Sequence, residues 1–259
     1  SATETLTFVD GSASILLDAS ILSASGSNAF NLTQVINLST SCVSTNAATV
    51  SFVVNPIPDV ADGQLETSDI CLNEDGFVSF TNATGLADGE YTITYDLSGA
   101  NTANDVTTTL SITSASGSFE IPAASLTETG ITTFTLTLVS SAAGCDSDPL
   151  IIADDFEVLP LPDADGLSIS IADVCFGEPA SVNLSGATLL ADADYFVTYE
   201  LSGANTSEAI TETLSFTGGA ATLNLDSVLI ANSGSTTVTI VDIQSSTTIC
   251  SALNIDLPA

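Results

Sequence analysis

The chain has 259 residues, 32 aspartates and glutamates, and no lysine, arginine or histidine, for a formal charge of −32. This composition excludes side-chain salt bridges, histidine as proton shuttle or metal ligand, and any cationic side chain to hold a phosphate or an oxyanion. It makes nucleic acid and anionic membranes poor partners, while 44% hydrophobic against 12% charged residues argues for a folded chain rather than a disordered one.

The chain is rich in Thr, Ser, Ala, Val, Leu and Ile, and Thr, Val and Ile suit a pleated, half-buried surface and predict an all-β protein. In chain order, Thr5-Leu6-Thr7 opens a first stretch, a helical turn is expected after Asp18, and Val50, Phe52 and Val54 alternate with small or polar neighbours as a strand does. Asn55-Pro56-Ile57-Pro58-Asp59 then reads as a stiff linker, because alternate prolines remove backbone donors and favour an extended path. Beyond it, Tyr91, Ile93 and Tyr95 alternate with Thr92 and Thr94, and Phe134, Leu136 and Leu138 alternate with Thr133, Thr135 and Thr137. Turn signals at Ala87-Asp88-Gly89, Ser98-Gly99 and Ser116-Gly117 separate the strands. A second linker, Leu159-Pro160-Leu161-Pro162-Asp163, leads into the remainder, which has a Gly218-Gly219 turn, a further helical turn expected after Asp226, and Pro258 near the end.

The pattern repeats. Tyr91-Thr-Ile-Thr-Tyr-Asp-Leu-Ser-Gly-Ala-Asn101 returns as Tyr195-Phe-Val-Thr-Tyr-Glu-Leu-Ser-Gly-Ala-Asn205, an offset of 104 residues. Thr5-Leu6-Thr7, Thr109-Leu110-Ser111 and Thr213-Leu214-Ser215 keep the same offset, as do Phe30, Phe134 and Val238. A period near 100 fits an independently folding domain rather than a solenoid unit. With about seven short strands per hundred residues, the expectation is tandem immunoglobulin-like β-sandwiches, strung like beads. The boundaries fall at the proline linkers: the C-terminal half of a repeat at 1–57 and complete repeats at 58–161 and 162–259. The opening Ser1-Ala2-Thr3, without methionine or a signal segment, suggests an excised piece of something longer, and no apolar run reaches the roughly 18 residues a spanning helix needs.

Five cysteines fall into two register classes: Cys71 with Cys175, and Cys42 with Cys145 and Cys250. The favoured expectation is a bridge within each full repeat, Cys71 to Cys145 and Cys175 to Cys250, leaving Cys42 over. The alternatives are five free buried thiols, or linker-spanning bridges Cys42–Cys71 and Cys145–Cys175. A bridge closing some 75 residues contributes roughly 4 kcal/mol in the chain-entropy account and belongs to an oxidising, extracytoplasmic compartment.

Candidate chemistry is thin. Serines and threonines lack a base to activate them, the cysteines are too sparse for zinc, no phosphate loop is present, and no carboxylate pair stands out for glycoside hydrolysis, so no enzyme is expected. Calcium alone has a physical case, through oxygen ligands at Asp59, Asp62, Asp163 and Asp165 beside the linkers, with Glu74, Asp75 and Glu178 nearby. No complete calcium motif accompanies them, and a solvated acidic surface is the favoured reading, so no cofactor is assigned. The sequons at Asn31, Asn37, Asn82, Asn183 and Asn205 are frequent by chance in so Ser/Thr-rich a chain.

The order of a proline linker, Ile70-Cys71, Tyr91 to Gly99, a Thr-rich stretch, Gly144-Cys145, and Phe156 to Pro162 resembles the immunoglobulin-like or PKD-like repeats of giant Bacteroidetes surface proteins, among them gliding-motility-type adhesins exported by type IX secretion. The second full repeat departs from the pattern with Ile249-Cys250 in place of Gly-Cys. The resemblance implies a secreted or surface-anchored, non-catalytic, structural or adhesive array whose partners are neighbouring repeats, surface glycans or like chains. The alternatives are a stretch of an extracellular filament and a carbohydrate-binding accessory module. The lack of Lys and Arg also removes every site for trypsin-like proteases.

Overall fold

The computed structural model describes every residue except 1–3, 23, 46–47, 150, 253–254, 256 and 259, so the opening Ser1-Ala2-Thr3 lies outside the described residues. Within 4–54 the strands are β1 (Gly26–Leu32), β2 (Val35–Ile36), β3 (Val43–Ser44) and β4 (Ala48–Val54). β1 pairs with β4 and β2 with β3, both antiparallel. No described residue of this segment is buried, and Phe8, Leu16, Val50 and Val53 are exposed. A short 3-10 turn at Ala19–Ile21 follows Asp18, whose Oδ1 accepts from the Ser20 amide at 2.8 Å.

Residues 64–159 carry β5 (Gln64–Thr67), β6 (Ile70–Cys71), β7 (Gly76–Thr81), β8 (Gly89–Gly99), β9 (Ala103–Ile112), β10 (Gly117–Ile121), β11 (Gly130–Ser141) and β12 (Ile152–Leu159). They form two sheets, β10-β7-β5 and β6-β12-β11-β8-β9. The chain changes sheet between β5 and β6, and β6 runs parallel to β12, pairing Ile70 with Val158 and Cys71 with Leu159. Residues 168–258 repeat the design with β13 (Ser168–Ile171), β14 (Ala180–Ser185), β15 (Ala193–Gly203), β16 (Ile210–Phe216), β17 (Ala221–Leu225), β18 (Thr236–Ser245) and β19 (Leu257–Pro258). Their sheets are β13-β14-β17 and β16-β15-β18-β19. Val174 and Cys175, the counterparts of β6, form no strand.

Period-two alternation buries one face of each sheet against the other. One core draws only on residues 60 to 158, with Tyr95, Phe119 and Phe134 stacked at centroid distances of 4.9 to 6.1 Å. The other draws only on residues 164 to 255 and holds Tyr195 edge-on to Phe216 at 5.6 Å. Among the described residues, no sheet mixes strands from the two sides of a proline linker.

The alternation read from sequence breaks within β11 and again within β18. β11 buries Thr132, Phe134 and Leu136, then slips register, so Val139 rather than Leu138 reaches the core. The same slip recurs in β18, where the buried series passes from Ile240 to Ile243. A bulge adds one unpaired residue and inverts the pattern beyond it. The turn expected after Asp226 is present, with Asp226 Oδ1 accepting from the Val228 amide at 3.0 Å. Its first-repeat counterpart starts at Pro122, and Asp75 caps the Ala123 amide at 2.7 Å instead.

Candidate functional site: the cysteine-bearing poles

Strand direction gives each full repeat an incoming and an outgoing pole. In the first, β11 runs from Gly130, paired with Val158 at the outgoing end, to Ser141, paired with Tyr91 at the incoming end. Cys71 lies at the outgoing pole: it pairs with Leu159, and the Leu72 amide donates to the Leu159 carbonyl at 2.9 Å, immediately before the linker. Cys145 lies at the incoming pole, in a loop closed by the Ser141 amide donating to the Cys145 carbonyl at 2.9 Å. Pro56 and Pro58 of the preceding linker form a shallow groove there with Ala87, Tyr91 and Ala142.

This geometry overturns the expected bridges within repeats. A strand of 12 residues lies between Cys71 and Cys145, a span of roughly 35 Å at about 3.3 Å per residue, whereas a disulfide needs Cα atoms within about 7 Å. Cys71 instead bonds Cys250, at the incoming pole of the next repeat, with Cα atoms 5.5 Å apart and a sequence separation of 179. Cys145 and Cys175 carry free thiols, the first half-buried and the second exposed, and Cys42 is a third, exposed. The bridges Cys42–Cys71 and Cys145–Cys175 are not formed either.

The same turns present the cysteines in every repeat. Ser245 donates to the Cys250 carbonyl and Asn37 to the Cys42 carbonyl, each at 2.9 Å, matching Ser141 and Cys145. The residue before each of these cysteines is left-handed: Ser41 at φ 55°, Gly144 at 76°, Ile249 at 62°. For the outgoing class, Glu74 donates to the Cys71 carbonyl at 3.1 Å and Glu178 to the Cys175 carbonyl at 3.0 Å, with Asn73 and Gly177 left-handed between them.

Carboxylates serve as caps for backbone amides. Asp59 Oδ1 accepts from Ala61 at 3.1 Å and Asp163 Oδ1 from Asp165 at 3.0 Å, closing matching turns after the two linkers. Asp88 and Asp192 cap the hairpins after β9 and β16 through the amides of Ser114 and Gly218, and Asp154 takes both the amide and the hydroxyl of Thr67 at 2.8 Å. The structure does not gather Asp59, Asp62, Asp163 and Asp165 into a metal cage: among the described residues no group of three or more Asp, Glu, Cys or His side chains stands close enough to hold an ion.

The Leu-Ser-Gly-Ala-Asn motif, which sequence reasoning used only as a repeat marker, is a clamp. The buried Asn101 donates to the Glu128 carbonyl at 2.8 Å and to Thr132 Oγ1 at 2.9 Å, and accepts from the Glu128 amide at 3.0 Å. Asn205 makes the same three bonds with Asn232 and Thr236. Gly99 and Gly203 sit at φ 96° and 99° with a carbonyl 2.5 Å from where a Cβ would stand, so only glycine fits. Asn205, which heads a sequon, is thus buried with its side-chain amide engaged. The tyrosine motif is likewise structural. Tyr91 and Tyr195 donate to the carbonyls of Ala87 and Ala191. Tyr199 donates to Glu212 at 2.9 Å, and burial, then that bond, then the Glu212 charge push its phenol well above the usual range.

A three-stranded sheet facing a larger one defines an immunoglobulin-like or fibronectin-like β-sandwich, and in residues 64–159 the chain also switches sheets between β5 and β6. Among solved structures the chain is similar to the FN1–FN3 domains of chicken CNTN1, at 11% identity and a TM-score of 0.47, over 87% of this chain and 76% of that one. It is also similar to a marsupial T cell receptor, at 8% identity and 0.37, over 76% and 72%. A third similarity is to alpha-2-macroglobulin from Escherichia coli, at 11% and 0.27, over 78% of this chain but 16% of that one. With likenesses so distant, the fold assignment rests on the strand order itself. No protein-family model and no curated protein matches the chain.

Proposed function

We propose that the chain is a non-catalytic structural and adhesive stretch of a larger secreted or cell-surface bacterial protein, of the kind found in Bacteroidetes gliding-motility adhesins exported by type IX secretion. The observation that carries this reading is the Cys71–Cys250 bond. It joins two sandwiches of the same design end to end, which serves mechanical continuity rather than catalysis, and it belongs to an oxidising compartment. The polar side chains nearest the poles are occupied in capping turns and clamping loops. The partners proposed are neighbouring repeats of the same polypeptide, with surface glycans met by the loops.

The test is limited proteolysis on intact source cells, followed with antibodies to residues 58–259. Trypsin has no site in the chain and should leave the 58–259 segment uncut, whereas a Glu-specific protease should fragment it without lysis. An epitope that resists the Glu-specific protease until the cells are broken overturns the surface assignment. A second reading, a stretch of an extracellular filament, is favoured by 4–54, where β1 and β4 pair only with each other among the described residues and Phe8, Leu16 and Val50 lie exposed. A regular fibre of many copies in micrographs would select it.

A further inference from the structure

We infer that the Cys71–Cys250 bond is one link of a continuing chain of disulfides, in which the outgoing-pole cysteine of each repeat bonds the incoming-pole cysteine of the next. Cys145 and Cys175 are the two sites at which that chain continues beyond this pair of domains. Their partners are cysteines of the opposite class on adjoining repeats of the same polypeptide. This deepens the reading of the chain as part of a repeat array and rests on it.

Both classes of cysteine occur at this junction in bonded form, and the same backbone turns present the unbonded members. The Cys145 carbonyl is held as the Cys250 carbonyl is, each by an amide at 2.9 Å and each after a left-handed residue. The Cys175 carbonyl is held as the Cys71 carbonyl is, by the glutamate three residues on. Cys145 follows Ser141, Ala142 and Ala143, which line the groove containing Pro56 and Pro58 of the preceding linker. The surroundings of Cys175 also differ in the way an unmet partner requires. Ile70, beside Cys71, is 8% exposed and Leu72 packs on the first core, whereas Val174 and Phe176, beside Cys175, are 46% and 74% exposed. Cys42, built on the incoming-pole turn of the first segment, belongs to the same series. The geometry therefore accounts for an odd number of cysteines without a defective pair: the bonds step from domain to domain, so any window of the array cuts some of them.

Each bond forms by two exchanges with a disulfide oxidant, a dithiol oxidoreductase in its oxidised form. One cysteine thiolate attacks the oxidant's disulfide and displaces one of its sulfurs as thiolate. The partner cysteine's thiolate then attacks the mixed disulfide and releases the second sulfur. Two electrons pass to the oxidant, which leaves as the dithiol carrying the two thiol protons.

The experiment is disulfide mapping of the native full-length polypeptide from source cells. Free thiols are blocked with iodoacetamide at lysis, and the unreduced protein is cut with Asp- and Glu-specific proteases, since trypsin cannot cut the chain. The expected result is Cys71 joined to Cys250, Cys145 joined to an outgoing-class cysteine and Cys175 to an incoming-class cysteine outside residues 1–259, with monomer mobility on non-reducing gels. Alkylated Cys145 and Cys175 beside an intact Cys71–Cys250 would overturn the inference and leave the surface reading standing. Alkylation of all four would overturn both. A Cys145–Cys175 bond, or linkage to separate copies seen as a ladder of multimers, would overturn the inference alone.

Discussion

At the scale of single residues, one side chain is in the wrong backbone conformation for its type. Ile249 occupies the left-handed position that Gly144 and Ser41 take in the equivalent loops, at φ 62°. A β-branched residue there costs roughly 1–2 kcal/mol. Its side chain is more than half exposed, so little packing is lost on removing it. Ile249→Gly is therefore expected to stabilise the second sandwich by about 1 kcal/mol in urea denaturation, with the Cys71–Cys250 bond retained. The reciprocal Gly144→Ile should destabilise the first by a similar amount. No change in either would show that the loop relaxes freely and that the conformation is not imposed by the cysteine it presents. The strain was half legible in the sequence: Ile249 stood out as a departure from Gly-Cys, but only the backbone shows what glycine supplies there.

At the scale of elements, the loop between β8 and β9 is tied to the start of β11 by Asn101, and the loop between β15 and β16 to the start of β18 by Asn205. Asn101→Ala removes three hydrogen bonds and leaves the fully buried Thr132 hydroxyl and the Glu128 amide without that partner. An unmet buried polar group costs about 1–3 kcal/mol, so a loss of about 3 kcal/mol is expected in the first unfolding transition by calorimetry, with the second transition unmoved. A loss under about 0.5 kcal/mol would mean that water replaces the amide. The repeat of Leu-Ser-Gly-Ala-Asn was plain in the sequence, but its reason was not. The asparagine's partners lie 27 and 31 residues further on, and no local pattern announces them. The bulges in β11 and β18 were hidden for a related reason, since an extra unpaired residue is defined only by the strand opposite.

At the scale of the whole molecule, 32 carboxylates without a single cationic side chain repel one another throughout, and the caps they make do not neutralise them. Screening shortens the range of this repulsion from about 30 Å at 0.01 M salt to about 10 Å at 0.1 M. The melting temperature should therefore rise with sodium chloride over that interval, by a few degrees for each kcal/mol of repulsion relieved. Calcium chloride at matched ionic strength should add nothing further. A calcium-specific rise, abolished by Asp163→Asn with Asp165→Asn, would instead establish an ion site at the second linker.

The sequence by itself determined the class of the protein. Strand alternation is a period-two property of neighbours, and the 104-residue repeat is visible in any chain that carries it, so the all-β sandwich and the two cysteine classes could be read directly. What only the tertiary structure decided was the pole at which each cysteine stands. The repeat register pairs Cys71 with Cys145 just as readily as with Cys250, because register says which residues are equivalent and nothing of which are near. Nearness depends on the direction of β11, which carries the chain from one end of the sandwich to the other and leaves the two cysteines of a single repeat a full strand apart. The outgoing cysteine of one domain then meets the incoming cysteine of the next at the linker, and the bond that forms belongs to the junction rather than to either domain.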